Sequence, residues 1–367
     1  MKFAIFYEIP VTKPFTREKE NAAFRNTIEQ AVFADQMGWH AFWTVEHHFL
    51  EEFSHCSNPE ILYGAVASRT ENIRLGYGVR LAPKPYNHPV RSAESAAMLD
   101  HVSNGRVDFG TGRSSTRLEL EGFGVHPDDT RGMWREAIDH IVGCWTNEEH
   151  EFDGKHWQMP KRRVIPKPYQ DPHPPIYAAT GSESGHQMMG ELGLGLCSFA
   201  VGTPPEDVER RVSIYKKAIA TCKEPVGAKV NDCANAFTMV NCAPNKQQSY
   251  DIAKDSFEWY PKRSVELVTS VAAWLDEMKE DLGTYEYLGE QQKIVESGMH
   301  DALTFDYLHD SKAVICGDPD EVVRSAKEYE AAGVDTLLCL INPYDISHED
   351  CMQTIELMGK YVIPEFD

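Results

Sequence analysis

The sequence predicts a parallel α/β fold closed into one eight-stranded (β/α)8 barrel, the TIM-barrel class, with an extended insertion between strands 7 and 8. Three observations carry this. Short apolar runs of β type alternate with longer helical patterns from end to end. Eight such runs occur, which suits a closed barrel better than an open sheet. The 367 residues are ample for one large barrel core.

The first strand is expected over residues 2–7, with a helix over 21–37 that Gly38 stops as a C-cap glycine would. The second strand covers 41–47, and Asn58-Pro59 opens a helix to about residue 69. The third covers 73–80; Pro83, Pro85 and Pro89 then lead into a helix ending near Val102. The fourth covers 106–113, followed by a helix over 130–145. Residues 147–175 are rich in proline, glycine and aromatic residues and read as a loop. Strands five and six, at 176–181 and 196–201, precede helices opening at Ser182 and near Pro204-Pro205. Strand seven covers 233–242; strand eight covers 336–341 and precedes a helix over 349–359. Between them residues 245–335 break the rhythm, supply several helices and carry Trp259, Tyr260, Trp274, Tyr285, Tyr287, Phe305 and Tyr307. An insertion leaving the C-terminal end of a barrel strand lies over the active face, so it is a possible lid, or else extra packing or a subunit contact, within a single 1–367 domain.

Composition excludes several function classes. Fifty-seven acidic residues against 36 basic give a formal charge of −21, which repels nucleic-acid backbones and anionic lipid. Residues 1–9 read as an apolar strand rather than a leader, and no apolar run approaches the roughly 20 residues that span a bilayer. The nine cysteines are scattered without a Cys-x-x-Cys pair, as expected of reduced, buried thiols in a cytoplasmic protein without structural zinc.

Four clusters fall at strand ends, where a barrel places its chemistry. Glu46-His47-His48-Phe49 ends strand two; histidines move protons near neutral pH or bond a polar cofactor atom, and a neighbouring carboxylate can fix the tautomer. Strand alternation puts Glu46 and His48 on one face and His47 on the other, unless the strand ends first. His-Glu-x-x-His is absent and nothing local supplies a third ligand, so no metal is expected there. Gly76-Tyr77-Gly78-Val79-Arg80 ends strand three, and its glycines would let a flat cofactor approach the backbone or simply kink the strand. Gly110-Thr111-Gly112-Arg113-Ser114-Ser115-Thr116-Arg117 lacks the third glycine of a dinucleotide fingerprint. What remains is a small-residue loop with guanidinium groups suited to one phosphate. Thr180-Gly181-Ser182-Glu183-Ser184-Gly185 opens a helix, where backbone N–H groups and hydroxyls can hold an anion or act as ordinary caps.

With these clusters in place, the chain resembles the bacterial luciferase-like flavin monooxygenases. The resemblance runs in order through residues 2–6, 43–49, Asn58-Pro59, His88-Pro89-Val90-Arg91, Leu99-Asp100, Gly105-Arg106 with Phe109-Gly110, Pro175-Ile176-Tyr177, and Gly317-Asp318-Pro319 through Val334-Asp335. It implies FMN bound at the C-terminal strand ends. Reduced FMN, supplied by a separate flavin reductase, would react with dioxygen to a flavin 4a-hydroperoxide that oxygenates a small organic substrate. His47 and His48 match the family's histidine pair, with Glu46 beside them. Gly78-Val79 matches the non-proline cis peptide behind the flavin ring; Arg113, Arg131 and Ser182, with Gly181 and Gly112 alongside, match the cofactor site. A homodimer is implied by the resemblance alone. Two departures stand out. Gly112 replaces the reactive cysteine of true luciferases, which is expected to enlarge the pocket and argues against light emission. Ser184-Gly185-His186 replaces a Ser-Thr phosphate cap. A deazaflavin-dependent oxidoreductase of the same fold, a non-catalytic flavin-binding protein and a metal-dependent hydrolase using Glu46, His47 and His48 are the other readings.

Overall fold

The computed structural model describes every residue except Glu286 and Asp367, and all side chains apart from those of Glu290, Lys293, Ile294 and Met299. In chain order the strands are β1 (Lys2–Tyr7), β2 (Ala41–Thr44), β3 (Arg74–Tyr77), β4 (Arg80–Leu81), β5 (Val107–Gly112), β6 (His150–Asp153), β7 (Gln158–Arg162), β8 (Ile176–Thr180), β9 (Gly195–Phe199), β10 (Ala234–Cys242), β11 (Ile315–Gly317) and β12 (Thr336–Leu340). The helices are α1 (Arg17–Gln36), α2 (Pro59–Ala67), α3 (Pro89–Val102), α4 (Arg117–Gly122), α5 (Asp129–Thr146), α6 (Glu183–Glu191), α7 (Pro205–Ile219), α8 (Lys246–Met278), α9 (Leu288–Glu296), α10 (Phe305–Asp310), α11 (Pro319–Ala331) and α12 (His348–Leu357).

Eight parallel strands pair in the order β1-β2-β3-β5-β8-β9-β10-β12, and β12 pairs back onto β1. The barrel is closed, as the sequence predicts. Its strands are buried almost without alternation because one face meets the barrel interior and the other meets helices. All nine residues of β10 are buried. Every expected strand is present: β1 has its expected span, β9 starts one residue early, and all but β1 are trimmed by one to three residues at one or both ends.

Four differences have physical reasons. The first helix begins at Arg17, four residues early, because Thr16 accepts a hydrogen bond from the Lys19 N–H and caps it. The third strand divides into β3 and β4 at the Gly78-Val79 peptide, which is cis. The expected loop over 147–175 contains the antiparallel hairpin β6–β7. The insertion opens with one 33-residue helix, α8, which carries Pro261 in its interior, and short β11 then joins the sheet beside β10.

Close packing fixes some of the glycines. A Cβ on Gly76 would strike the Trp43 indole, and one on Gly110 would strike the Tyr77 carbonyl oxygen. Gly76 therefore serves the packed core and not a cofactor. Because backbone cannot swing aside, Gly110→Ala is expected to destabilise the protein by about 3 kcal/mol, at the upper end for overpacking. A lower urea midpoint would register it; an unchanged midpoint would contradict this packing.

Candidate active site

A cavity of about 330 Å³ opens at the C-terminal ends of the barrel strands, large enough for a cofactor-sized ligand. Phe6, Leu81, Phe199, Phe237 and Leu338 line its apolar walls. The insertion forms one side through Tyr260, Ser264, Val265, Leu267 and Val268 of α8, with Tyr287 and Gln291 beyond.

The histidine pair is split by geometry. β2 ends at Thr44, so Val45–His48 runs on as irregular backbone. Glu46 and His47 line the cavity. His48 turns instead into an aromatic enclosure of Phe49, Tyr86 and Phe123, with Nε2 3.5 Å from a Glu46 oxygen. Because β2 stops at Thr44, the alternation expected from the sequence does not carry through: Glu46 and His47 share the cavity, and His48, expected beside them, lies outside it.

His47 lies between two buried glutamates that the sequence did not single out. Its Nδ1 is 3.0 Å from Glu119 Oε1 and its Nε2 is 3.6 Å from Glu8 Oε2. Glu119, fully buried, also accepts from the His48 N–H at 3.0 Å, the Ser114 hydroxyl at 3.0 Å and the Thr116 hydroxyl at 2.7 Å. Burial disfavours a charged His47, but the charge and hydrogen bond of Glu119, with Glu8 and Glu46 behind, outweigh it and raise the imidazole to about 9. Burial likewise opposes the Glu119 charge, yet His47 and the other donors hold that carboxyl below its ordinary value. Glu8 is raised, chiefly by burial and only partly offset by His47 and by the Tyr260 hydroxyl, which donates to Oε1 at 2.7 Å. Among the described residues Glu8 Oε2 has no hydrogen-bond partner. The result is an imidazolium at neutral pH on a side chain that lines the cavity, with Nδ1 committed to Glu119 and Nε2 beside the Glu8 carboxylate.

Glu46 has a different task. Its carboxylate accepts from the Leu81 N–H at 3.0 Å and the Asn87 amide at 2.7 Å. It thereby pins the segment that follows the Gly78-Val79 peptide, which is a positioning role. Both residues of that peptide line the cavity, and a Cβ on Gly78 would come within 2.7 Å of the Phe6 ring.

Arg113, Arg131, Gly181 and Ser182 line the cavity as well. Ser182 caps α6 by accepting from the Gly185 N–H at 3.1 Å, so the amino end of that helix faces the same space. Arg113 donates to the Thr284 hydroxyl and carbonyl at 2.6 and 2.7 Å and stacks 4.1 Å over Tyr285. Arg131 donates to the same carbonyl at 3.2 Å. Arg117, the other guanidinium of that loop, pairs on the surface with Glu121 and Glu277. At Gly112 the expectation of extra room is corrected: an added Cβ would collide with Val79 Cγ2, so Val79 already fills the missing side chain's place.

These features suit a flat, phosphate-bearing cofactor of the flavin type: a cationic, N–H-rich end for a phosphate, the Gly78-Val79 backbone against which a flat ring can lie, and the His47 imidazole lining the same cavity. Comparison with known proteins bears on the class. The family model for luciferase-like monooxygenases matches residues 1–336, and the chain belongs to that family. It is 26% identical over 369 residues to the oxygenase component of a flavin-dependent trigonelline monooxygenase from Acinetobacter baylyi, covering all of this chain and 96% of that one. Among solved structures, the oxygenating constituent of 3,6-diketocamphane monooxygenase from Pseudomonas putida, in complex with FMN, superposes with a TM-score of 0.77 at 19% identity, covering 100% and 98% of the two chains. An F420-dependent secondary alcohol dehydrogenase superposes at 0.72 with 17% identity, covering 100% and 99%. Among the described residues no helix is long and apolar enough to cross a membrane.

Proposed function

We propose that this chain is the oxygenase component of a two-component monooxygenase, which takes reduced FMN from a separate flavin reductase and uses dioxygen to oxygenate a small organic molecule. The observation that carries the reading is the His47 imidazolium, clamped by Glu119 and facing the same cavity as Arg113, Arg131 and Ser182. Arg113, Arg131, Ser182 and the Gly181 backbone would hold the phosphate. Gly78-Val79 and Gly112 would back the ring. When bound, reduced FMN would supply the electrons that activate dioxygen.

The chain's own residues supply the rest. His47 presents a proton at Nε2 where negative charge develops on oxygen, and Glu119 keeps that proton in place near neutral pH. The apolar walls exclude water, and α8 with the Tyr287–Gln291 stretch closes the substrate end. Support comes from the family's character and from a relative named as an oxygenase component. A deazaflavin would use the same cationic end, and the F420-dependent neighbour keeps that alternative in view.

Anaerobic titration separates the two. Reduced FMN is expected to bind at least about tenfold tighter than reduced F420. Tighter binding of reduced F420 would transfer the site to hydride transfer, and binding of neither would remove the flavin reading.

A further inference from the structure

Away from the barrel mouth, α5 and the β6–β7 hairpin enclose a cluster that the flavin reading does not use. His140 and Cys144 stand one helical turn apart on α5, so their side chains share a face. His150 enters from β6, across from them. His140 and Cys144 are fully buried and His150 nearly so. The three potential ligand atoms all lie within 4.8 Å of one another. His140 Nδ1 is 3.4 Å from Cys144 Sγ and 3.2 Å from His150 Nε2.

We propose that His140 Nδ1, Cys144 Sγ and His150 Nε2 bind a divalent transition-metal ion of the zinc class, which ties the β6–β7 hairpin to α5. Zinc bonds of about 2.0–2.3 Å arranged tetrahedrally place ligand atoms roughly 3.3–3.6 Å apart, which matches the two shorter separations closely. His140 Nδ1 is approached by two partners at once, as expected where lone pairs converge on a shared cation. The donor set suits the metal: borderline-soft zinc accepts imidazole and thiolate together. Water would fill the fourth position.

The surroundings hold these groups in place. The Phe152 ring stacks on the His140 imidazole at 4.7 Å and 11°. Gly143 lets the His150 ring lie flush on the helix, because a Cβ there would collide with it. Burial keeps the His140 imidazole uncharged, lowered to about 4, and lowers His150 too, so their lone pairs are free at neutral pH. Burial also holds the Cys144 thiol protonated, pushed up to about 12. Binding therefore exchanges the thiol proton for the metal: Cys144 Sγ loses H⁺ to solvent, an S–metal bond forms, and no electrons are transferred. The ion would be structural. Its consequence for the cavity is indirect, since Arg131 and Trp134 on the same helix line the flavin end.

The test uses untagged protein, stripped of metal under reducing conditions and titrated with Co²⁺. One equivalent is expected to produce a thiolate-to-cobalt charge-transfer band, absent in Cys144→Ser; apparent affinity is expected to fall at least about tenfold in Gly143→Ala, which keeps all three ligand residues but displaces the His150 ring. Zn²⁺ at a hundred times its dissociation constant is expected to raise the melting midpoint by about 5 °C over protein held in chelator. Wild-type protein that shows no thiolate band with excess Co²⁺ overturns the proposal, whatever the variants do. So does a band that survives in Cys144→Ser, which would place the metal on another thiol. Cobalt taken up with d–d absorbance alone would place it on nitrogen and oxygen ligands elsewhere, and also contradicts the assignment.

Discussion

Replacing Glu119 with glutamine lowers substrate oxygenation by about 10²–10³-fold at neutral pH, within the range assigned to a single positioned proton donor. Glutamine keeps the side chain's shape but removes the charge that most strongly favours a protonated His47. Burial then prevails and the imidazole becomes neutral. The effect belongs to the chemical step, so affinity for reduced FMN stays within a few-fold of wild type; a loss confined to FMN binding would contradict the assignment. Stability changes too, because removing one member of a buried pair costs about 3–5 kcal/mol, and the isosteric amide suits the lower end. The pH dependence has a definite sign. His47 is raised in the folded protein from 6.5 to about 9, so its contribution to stability is complete below pH 6.5 and is lost as pH rises through about 9. Melting curves of wild type should fall across that window, while those of Glu119→Gln stay flatter there.

The double variant Arg113→Ala with Arg131→Ala loses about 10²-fold or more in affinity for FMN, taking roughly 1.5–3 kcal/mol for each hydrogen bond to a charged group. Riboflavin, which lacks the phosphate, isolates the effect: its affinity is expected to change little, so the preference for FMN over riboflavin collapses. Equal losses for both ligands would mean that the arginines act on the ring site. A second consequence follows from Thr284, whose carbonyl accepts from both guanidinium groups. Without them the 283–285 turn is released from the cavity edge, and its amides should exchange faster with deuterium.

The barrel was legible because parallel strands buried on both faces write themselves as unbroken apolar runs. The 33-residue helix α8 was harder to see whole, since Pro261 interrupts its pattern as a breaker would. The β6–β7 hairpin hid among prolines and aromatic residues. At the site, the strand-end rule located His47, Gly78-Val79, Arg113 and Ser182. It could not distinguish His47 from His48, because their separation depends on where β2 stops. Glu8 follows β1 directly and Phe6 shares its wall of the cavity, so the same rule could have found it. Glu119 carried a signal as well: Thr116-x-x-Glu119 has the form of a helix capping box. Thr116 does cap α4, but the glutamate side chain turns to His47, a choice fixed by a residue 72 positions away. The insertion's reach into the cavity was equally invisible, because the Thr284 contacts depend on tertiary packing.

If His47, held protonated by Glu119, serves oxygen chemistry on a bound reduced flavin, the flavin's reaction with oxygen must depend on that pair. The most direct test is to form the anaerobic complex with reduced FMN, mix it rapidly with oxygenated buffer and follow the absorbance spectrum. An oxygen-dependent transient distinct from both reduced and oxidised FMN is expected, outlasting the reoxidation of free reduced FMN by at least about tenfold, and much shorter-lived in Glu119→Gln. Reoxidation of the bound flavin in one phase at the rate of the free cofactor, identical in wild type and variant, would contradict that dependence.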